Sequence, residues 1–232
     1  MMKLVLLMIP LLVASEAEYC EPWNACWPGA AEWLRLDGEL DGMLHKIADV
    51  KTVYDQCAAA ITEYGGATVS RAANGTCIFS AACVYKDCAI SNETVPNIPV
   101  YSVEARTVKH VQATVNFARQ HSIRVSIKAT GASYSISDQQ PNSILIWMAN
   151  YERHTSRGVV ESFVDSCGED RGPAIKVGGG ETFGNLFGAL AADGRFVASS
   201  GAAVTVGAAG QCCCGGRCRV SVRSAQQNDL AR

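Results

Sequence analysis

Three glycine-bearing stretches carry the residues best suited to chemistry, and they would do it with main chain rather than side chains. Lys128 to Tyr134 reads KATGASY, Gly178 to Gly180 is a triple glycine ahead of Thr182, and Ser199 to Gly210 reads SSGAAVTVGAAG. A glycine at the end of a strand lets the backbone turn sharply and approach a ligand, so the N–H groups of Gly131, Ala132 and Ser133 can point at an anion such as a pyrophosphate. The third run is too small-sided to fill a core. It allows close approach to another backbone or to a flat cofactor, and Val204 and Val206 argue against its being a simple flexible linker. Each of these stretches is also an ordinary turn sequence when taken singly.

Side-chain chemistry is sparse by comparison. The four histidines, His45, His110, His121 and His154, fall in no catalytic constellation and read as solvated helix-end or loop residues. Cys212, Cys213, Cys214 and Cys218 suggest a metal cluster at first sight, but three consecutive cysteines do not readily face one tetrahedral ion. No metal site is assigned, and no catalytic residue is nominated.

The turns need elements to position them. Val125 and Ile127 alternate with Arg124, Ser126 and Lys128, the period-2 pattern of a half-buried strand running into the first turn. Before it, Val100 to Glu104 reads as a strand, Thr107 as an N-cap, and Val108, Val111, Val115 and Ala118 as one face of a helix ending near His121. Strand, helix and strand within that span predict a βαβ unit with a parallel pair, which sends the first turn out of the carboxyl end of a parallel strand, where ligands collect in open α/β sheets. Ile144 to Met148 reads as a buried strand. Ala174 to Val177 reads as another, entering the triple glycine. Thr182 then caps a helix with Phe183, Leu186, Phe187 and Leu190 on one face, ending before Gly194. Earlier in the chain Trp33, Leu36, Leu40 and Met43 or Leu44 recur at helical spacing after Pro28, a pattern of core packing.

With 232 residues, 48% hydrophobic and 18% charged, the chain can build a core as one large or two small domains. A net charge of -2 gives no basic footprint and argues against a nucleic-acid partner. Lys3, the apolar run Leu4 to Val13 and Ser15-Glu16-Ala17 read as a secretory signal peptide over Met1 to Ala17, too short to span a bilayer. Export gives Cys20, Cys26, Cys57, Cys77, Cys83 and Cys88 the meaning of disulfide partners, with connectivity left open. Asn74-Gly-Thr76 and Asn92-Glu-Thr94 are glycosylation sequons in the same segment.

Together the three turns, each after a strand, carry a family resemblance. YSVEARTVKHVQATVNFARQHSIRVSIKATGASY, then NSILIWMANY, VGGGETFGNLFGAL and SGAAVTVGAAG, resemble the FAD-binding domain of the berberine-bridge-enzyme-like branch of the vanillyl-alcohol-oxidase flavoproteins, the PCMH-type fold. The resemblance implies an α+β fold, a βαβ subdomain followed by a second α/β subdomain, incomplete at the C-terminus. Its implied layout is a signal peptide over 1–17, a cysteine-bearing lead over 18–98, a partial FAD-binding domain over 99–210, and a cysteine-rich polar tail over 211–232 with no helix or strand periodicity.

What the resemblance implies for function is carried by position. Thr130, Gly131, Ala132, Ser133 and Tyr134 match the loop that holds the FAD pyrophosphate; Gly180 and Thr182 match the glycine-led turn before the next helix; Gly201, Thr205 and Gly207 match the later loop along the cofactor. Members of the branch usually carry His where this chain has Ala132, and some carry a Cys near the position of Ala203, both used to bond the flavin. Neither is present, so FAD is expected to be held non-covalently. The implied activity is hydride transfer from an alcohol or carbohydrate substrate to FAD, with reoxidation by oxygen or another acceptor. After Gly210 the resemblance stops, and the tail reads as a departure from the family frame or a truncation. A secreted flavin-binding remnant without turnover and a disulfide-rich extracellular interaction module stand as alternatives.

Overall fold

In the computed structural model, the described residues are 19–47, 52, 98–131, 140–151, 158–194, 196–198, 204–209 and 220–222. The segment expected to be a signal peptide, both sequons, and Cys57, Cys77, Cys83 and Cys88 lie outside them, as does His154.

The central layer is a four-stranded sheet made of β1 (Leu44–Lys46), β2 (Tyr101–Glu104), β3 (Arg124–Lys128) and β4 (Ser143–Trp147), in the order β1-β2-β4-β3. β1 is antiparallel to β2, while β4 is parallel to both β2 and β3. The β2–helix–β3 unit predicted from sequence is therefore present, but its strands are not neighbours. β4 has inserted between them. The reason lies in its composition: all five residues of SILIW are buried, which suits a strand flanked on both sides.

Two helices cover one face of this sheet, α1 (Ala30–Glu39) and α2 (Val108–Gln120). Gly29 opens α1, with its N–H donating to Glu32 Oε2 at 2.9 Å, and Trp33 and Leu36 point inward as the helical spacing requires. Trp33 stacks on Tyr101 at 4.0 Å between ring centroids and tilts against Phe117 at 4.9 Å, joining α1, β2 and α2 around Leu36, Leu40, Val103 and Ile144. Thr107 caps α2 by accepting from the His110 N–H.

Two expectations about which face is buried are corrected. In α2 the inward residues are His110, Thr114, Phe117 and Ala118, whereas Val108 and Val115 are exposed. The polar members are accommodated because each has partners: His110 Nε2 lies 3.3 Å from Asp41 Oδ2, and Thr114 Oγ donates to the His110 carbonyl at 2.8 Å. His110, expected to be solvated, is thus an interior residue. In β3 the polar side is the buried one. Ser126 and Lys128 are enclosed while Ile127 is 59% exposed, because Ser126 and Lys128 share a face with Leu145 and Trp147 of β4, away from the helices. A hydrogen bond of 3.0 Å between the hydroxyls of Ser126 and Ser143 satisfies that face.

The N-terminal lead is tied to this layer. Cys20 and Cys26 form a disulfide, the Cys20 N–H donates to the Ser122 carbonyl at 2.8 Å, and Arg124 lies over the Tyr19 ring. The second part of the chain contains the antiparallel pair β5 (Val159–Val160) and β6 (Ala174–Ile175), then α3 (Phe183–Asp193), which ends at Gly194 in the left-handed region. Phe183, Leu186 and Leu190 of α3 form a core with Ala208, flanked by Val159, Ile175 and Val177. β7 (Phe196–Ala198) pairs antiparallel with β8 (Val220–Val222), so the polar tail does contain a strand; its alternation covers only three residues, too few to read.

Candidate functional site

The first turn leaves β3 where the parallel-strand geometry predicts. The Lys128 carbonyl accepts from the Met148 N–H at 2.8 Å, which keeps the carboxyl ends of β3 and β4 side by side. Three residues on, buried Gly131 has φ +78°, a left-handed conformation that a side chain rarely adopts. A Cβ there would also run into Cε of Lys128, whose side chain is fully buried beneath the turn.

The second turn presses on the end of β4. A Cβ on Gly180 would overlap the carbonyl oxygen of Met148 and the Cα of Ala149, so only glycine permits this approach of two main chains. Buried Glu181 follows, its Oε1 accepting from the Thr182 N–H at 3.2 Å and from Asn185 Nδ2 at 2.5 Å, while the Thr182 side chain accepts from the Asn185 N–H. The last of these bonds satisfies one N–H group in the first turn of α3.

The third stretch docks on the second. Thr182 and Gly207 form an antiparallel bridge, the N–H groups of Phe183 and Gly184 donate to the carbonyls of Val206 and Val204 at 3.0 and 2.8 Å, and the Ala208 N–H donates to Glu181 at 2.8 Å. Thr205 sits between those two acceptors. Gly207 in turn faces the first turn: a Cβ there would lie 3.5 Å from Ala129 Cβ and from the Thr130 side chain. Thr130, Gly131, Gly180, Thr182, Thr205 and Gly207, distant in sequence, thus occupy one neighbourhood. Ala132, Ser133, Tyr134 and Gly201 lie outside the described residues.

Sequence reasoning passed over the polar cluster at the carboxyl end of β2. Glu104 Oε1 accepts from Arg106 Nε at 2.9 Å and Nη2 at 2.8 Å and from Asn150 Nδ2 at 2.8 Å, with His45 Nε2 3.7 Å from Oε2. Burial pushes the Glu104 pKa up, but the hydrogen bonds from Arg106 and Asn150 and the charges of Arg106 and His45 outweigh it, leaving the pKa below the ordinary value. The cluster's signal was an acidic residue at the end of a parallel strand. Its neighbour in register, Trp147, has a buried Nε1–H without a hydrogen-bond partner among the described residues. Among the described residues no group of three or more His, Cys, Asp or Glu has the arrangement of a metal site, and no helix is long and apolar enough to cross a membrane.

Residues 99–228 match the family model described as FAD binding domain, a match that runs beyond Gly210. The FAD-linked oxidoreductase malF of Malbranchea aurantiaca is 28% identical over 208 residues, covering 82% of this chain and 35% of that protein. An uncharacterized FAD-linked oxidoreductase of Arthroderma benhamiae is 28% identical over 235 residues, covering 91% of this chain and 41% of that protein. The chain spans about a third of the length of the first of these. Among solved structures, the VAO-type flavoprotein MtVAO713 from Myceliophthora thermophila superposes with a TM-score of 0.63 at 20% identity, over 82% of this chain and 36% of that one. At that identity the likeness speaks for the fold.

Proposed function

The chain belongs to the FAD binding domain family, and on that premise we propose that it is of the vanillyl-alcohol-oxidase-type, berberine-bridge-like branch and that its three turns form a non-covalent FAD site. The reading rests on one observation. Glycines in the first and second turns leave no room for a Cβ, against Lys128 in one case and the Met148 main chain in the other, while Gly207 and Thr182 close the third turn onto both. Such a cradle suits a ligand that is recognised by amide groups and packed against small residues.

In this reading the main-chain N–H groups of the Thr130 to Tyr134 turn meet the diphosphate, Gly180 and Thr182 shape the wall beside it, and Gly201, Thr205 and Gly207 lie along the cofactor. Ala132 offers no nucleophilic nitrogen, so attachment is by packing and hydrogen bonds alone. FAD, when bound, supplies hydride acceptance from a substrate C–H bond and passes the electrons on to oxygen or another acceptor. The protein's contribution is to bind and orient the cofactor. A small alcohol or carbohydrate is the proposed substrate class of the full-length enzyme, and the Met1 to Ala17 segment is proposed to direct its export. The test is direct: the purified chain, titrated with FAD, should quench flavin fluorescence saturably, and absence of saturable quenching would remove the reading.

A further inference from the structure

A recess lies at the amino end of β3, opposite the end that runs into the Gly131 turn. It is a groove of about 310 Å³ lined by Tyr19, Asn24, Gln120, His121 and Ser122 together with the Cys20–Cys26 disulfide, near the lower end of the roughly 300–1,000 Å³ of small-molecule sites. Its walls are held in place. The Cys20 N–H donates to the Ser122 carbonyl at 2.8 Å, the Asn24 N–H to the Glu21 carbonyl at 2.9 Å and the Trp27 N–H to the Asn24 carbonyl at 3.0 Å, which fixes the disulfide-closed loop against the end of α2. Preorganisation of this kind lowers the cost of taking up a ligand.

The lining selects the class of ligand. It contains no Lys, Arg, Asp or Glu, and the His121 imidazole faces Glu32, with 3.7 Å between Nε2 and Oε1. Arg124 lies over the Tyr19 ring and its Nη2 is 3.7 Å from Glu21 Oε1. An ionic ligand would therefore find no unpaired counter-charge in these walls, and would lose its hydration for little return. What the residues offer is neutral: the carboxamides of Asn24 and Gln120 and the hydroxyls of Tyr19 and Ser122, each able both to donate and to accept. Aromatic surface stands open beside them. Tyr19 is 47% exposed and Trp23, on the same disulfide-closed loop, is 73% exposed, whereas Trp33 is in the core and Trp27 packs against it. Neutral groups of this kind next to open rings suit a molecule whose edges are hydroxyls and whose faces are C–H groups. We infer that the groove is a binding site for an uncharged oligosaccharide, separate from the three turns and independent of the FAD reading.

The test titrates the isotope-labelled full chain with cellotetraose, maltotetraose, tetra-N-acetylchitotetraose and tetragalacturonate, following backbone amide shifts, with thermal melts on every protein. At least one neutral tetrasaccharide is expected to bind saturably and to shift Asn24, Gln120 and Ser122, and the anionic tetragalacturonate is expected not to bind. N24A, Q120A and Y19A should each weaken the neutral ligand by about threefold to tenfold, with the melting temperatures of N24A and Q120A unchanged. The inference is overturned if no neutral tetrasaccharide binds saturably below on the order of 10 mM, if tetragalacturonate binds as tightly as the neutral ones, or if folded variants bind like wild type. Should a variant fail to fold, the remaining ones decide. Should none fold, the wild-type shifts decide: a bound saccharide that leaves Asn24, Gln120 and Ser122 unmoved overturns the site.

Discussion

Gly180 lies so close to the Met148 carbonyl and Ala149 Cα that no Cβ fits between the second turn and the end of β4. G180A must therefore move main chain, not a flexible side chain, and overpacking of that kind costs about 1–3 kcal/mol or more. G207A makes the control, since its added methyl group would meet Ala129 and Thr130 at 3.5 Å, ordinary van der Waals contact. In urea denaturation, G180A is expected to lower the midpoint clearly and G207A to stay within roughly 0.5 kcal/mol of wild type. Equal effects would mean that the second turn does not rest on β4 as described.

The pairing of His110 with Asp41 yields a second, asymmetric prediction. His110 is interior, its Nδ1 accepting from the Arg106 N–H at 3.4 Å and its Nε2 facing Asp41, whereas the Asp41 side chain is 84% exposed. Removing the imidazole orphans buried groups and opens space, so H110A is expected to cost about 1–3 kcal/mol. D41A removes a solvated partner and should cost at most about 1 kcal/mol. The same denaturation measurement checks both, and a larger loss from D41A would contradict the burial pattern.

Much of the element order was legible because strong local signals agree with the fold. Thr107 and Thr182 cap helices, Gly194 ends one, and Trp33, Leu36 and Leu40 line a core exactly as helical spacing would place them on one side. What period and propensity do not carry is which face turns inward. Ile127 is exposed and Lys128 buried because, among the described residues, β3 is an edge strand, and Lys128 shares its other face with Leu145 and Trp147 of an inserted β4, a tertiary fact. The valine stripe of α2 misleads for the same reason: His110 and Thr114 find polar partners within the fold, so the helix turns them inward. In the site, glycines announced three bends, but that Gly207 faces Thr130 and Gly180 faces Met148 was not readable from any one segment.

Glu104 should make stability depend on acid in a defined direction. Its folded pKa lies below the ordinary 4.5, so the native state holds fewer protons there than the unfolded chain. The stabilisation is present above the unfolded value and is lost as pH falls through the folded one. E104Q removes the titration while keeping much of the shape, and is expected to be less stable than wild type at pH 7 by about 1–3 kcal/mol. That gap should shrink as the pH is lowered past the ordinary carboxylate range. Denaturation midpoints measured from pH 7 down to acid would show it, and a gap that stays constant would mean that the Arg106 and Asn150 bonds do not set the carboxyl's protonation.

The Cys20–Cys26 disulfide closes a short loop with a sequence separation of 6, so its effect on chain entropy is limited to about 2 kcal/mol. It holds the segment whose Cys20 N–H bonds to Ser122 in the bend just before β3. C20S/C26S should therefore loosen residues near Tyr19 and Arg124 without dissolving the sheet. Hydrogen exchange is the suitable readout: protection is expected to fall at Cys20 and its neighbours and to persist in β4. Global loss of protection would show that the disulfide carries more of the fold than its loop length allows.

The proposed mode of cofactor attachment rests on the side chain at one position. A flavin bond to the protein needs a nucleophilic atom within reach, and in this chain the residue at the turn is Ala132, whose methyl group supplies none. On the proposed non-covalent reading, FAD bound by the three turns is expected to be held by reversible contacts that unfolding abolishes. Acid precipitation of the flavin-loaded chain should leave a colourless pellet and return all the flavin to the supernatant, where its absorbance can be quantified against the input. A yellow pellet that survives washing would point to a bond formed by another residue, and mass spectrometry of its peptides would identify which.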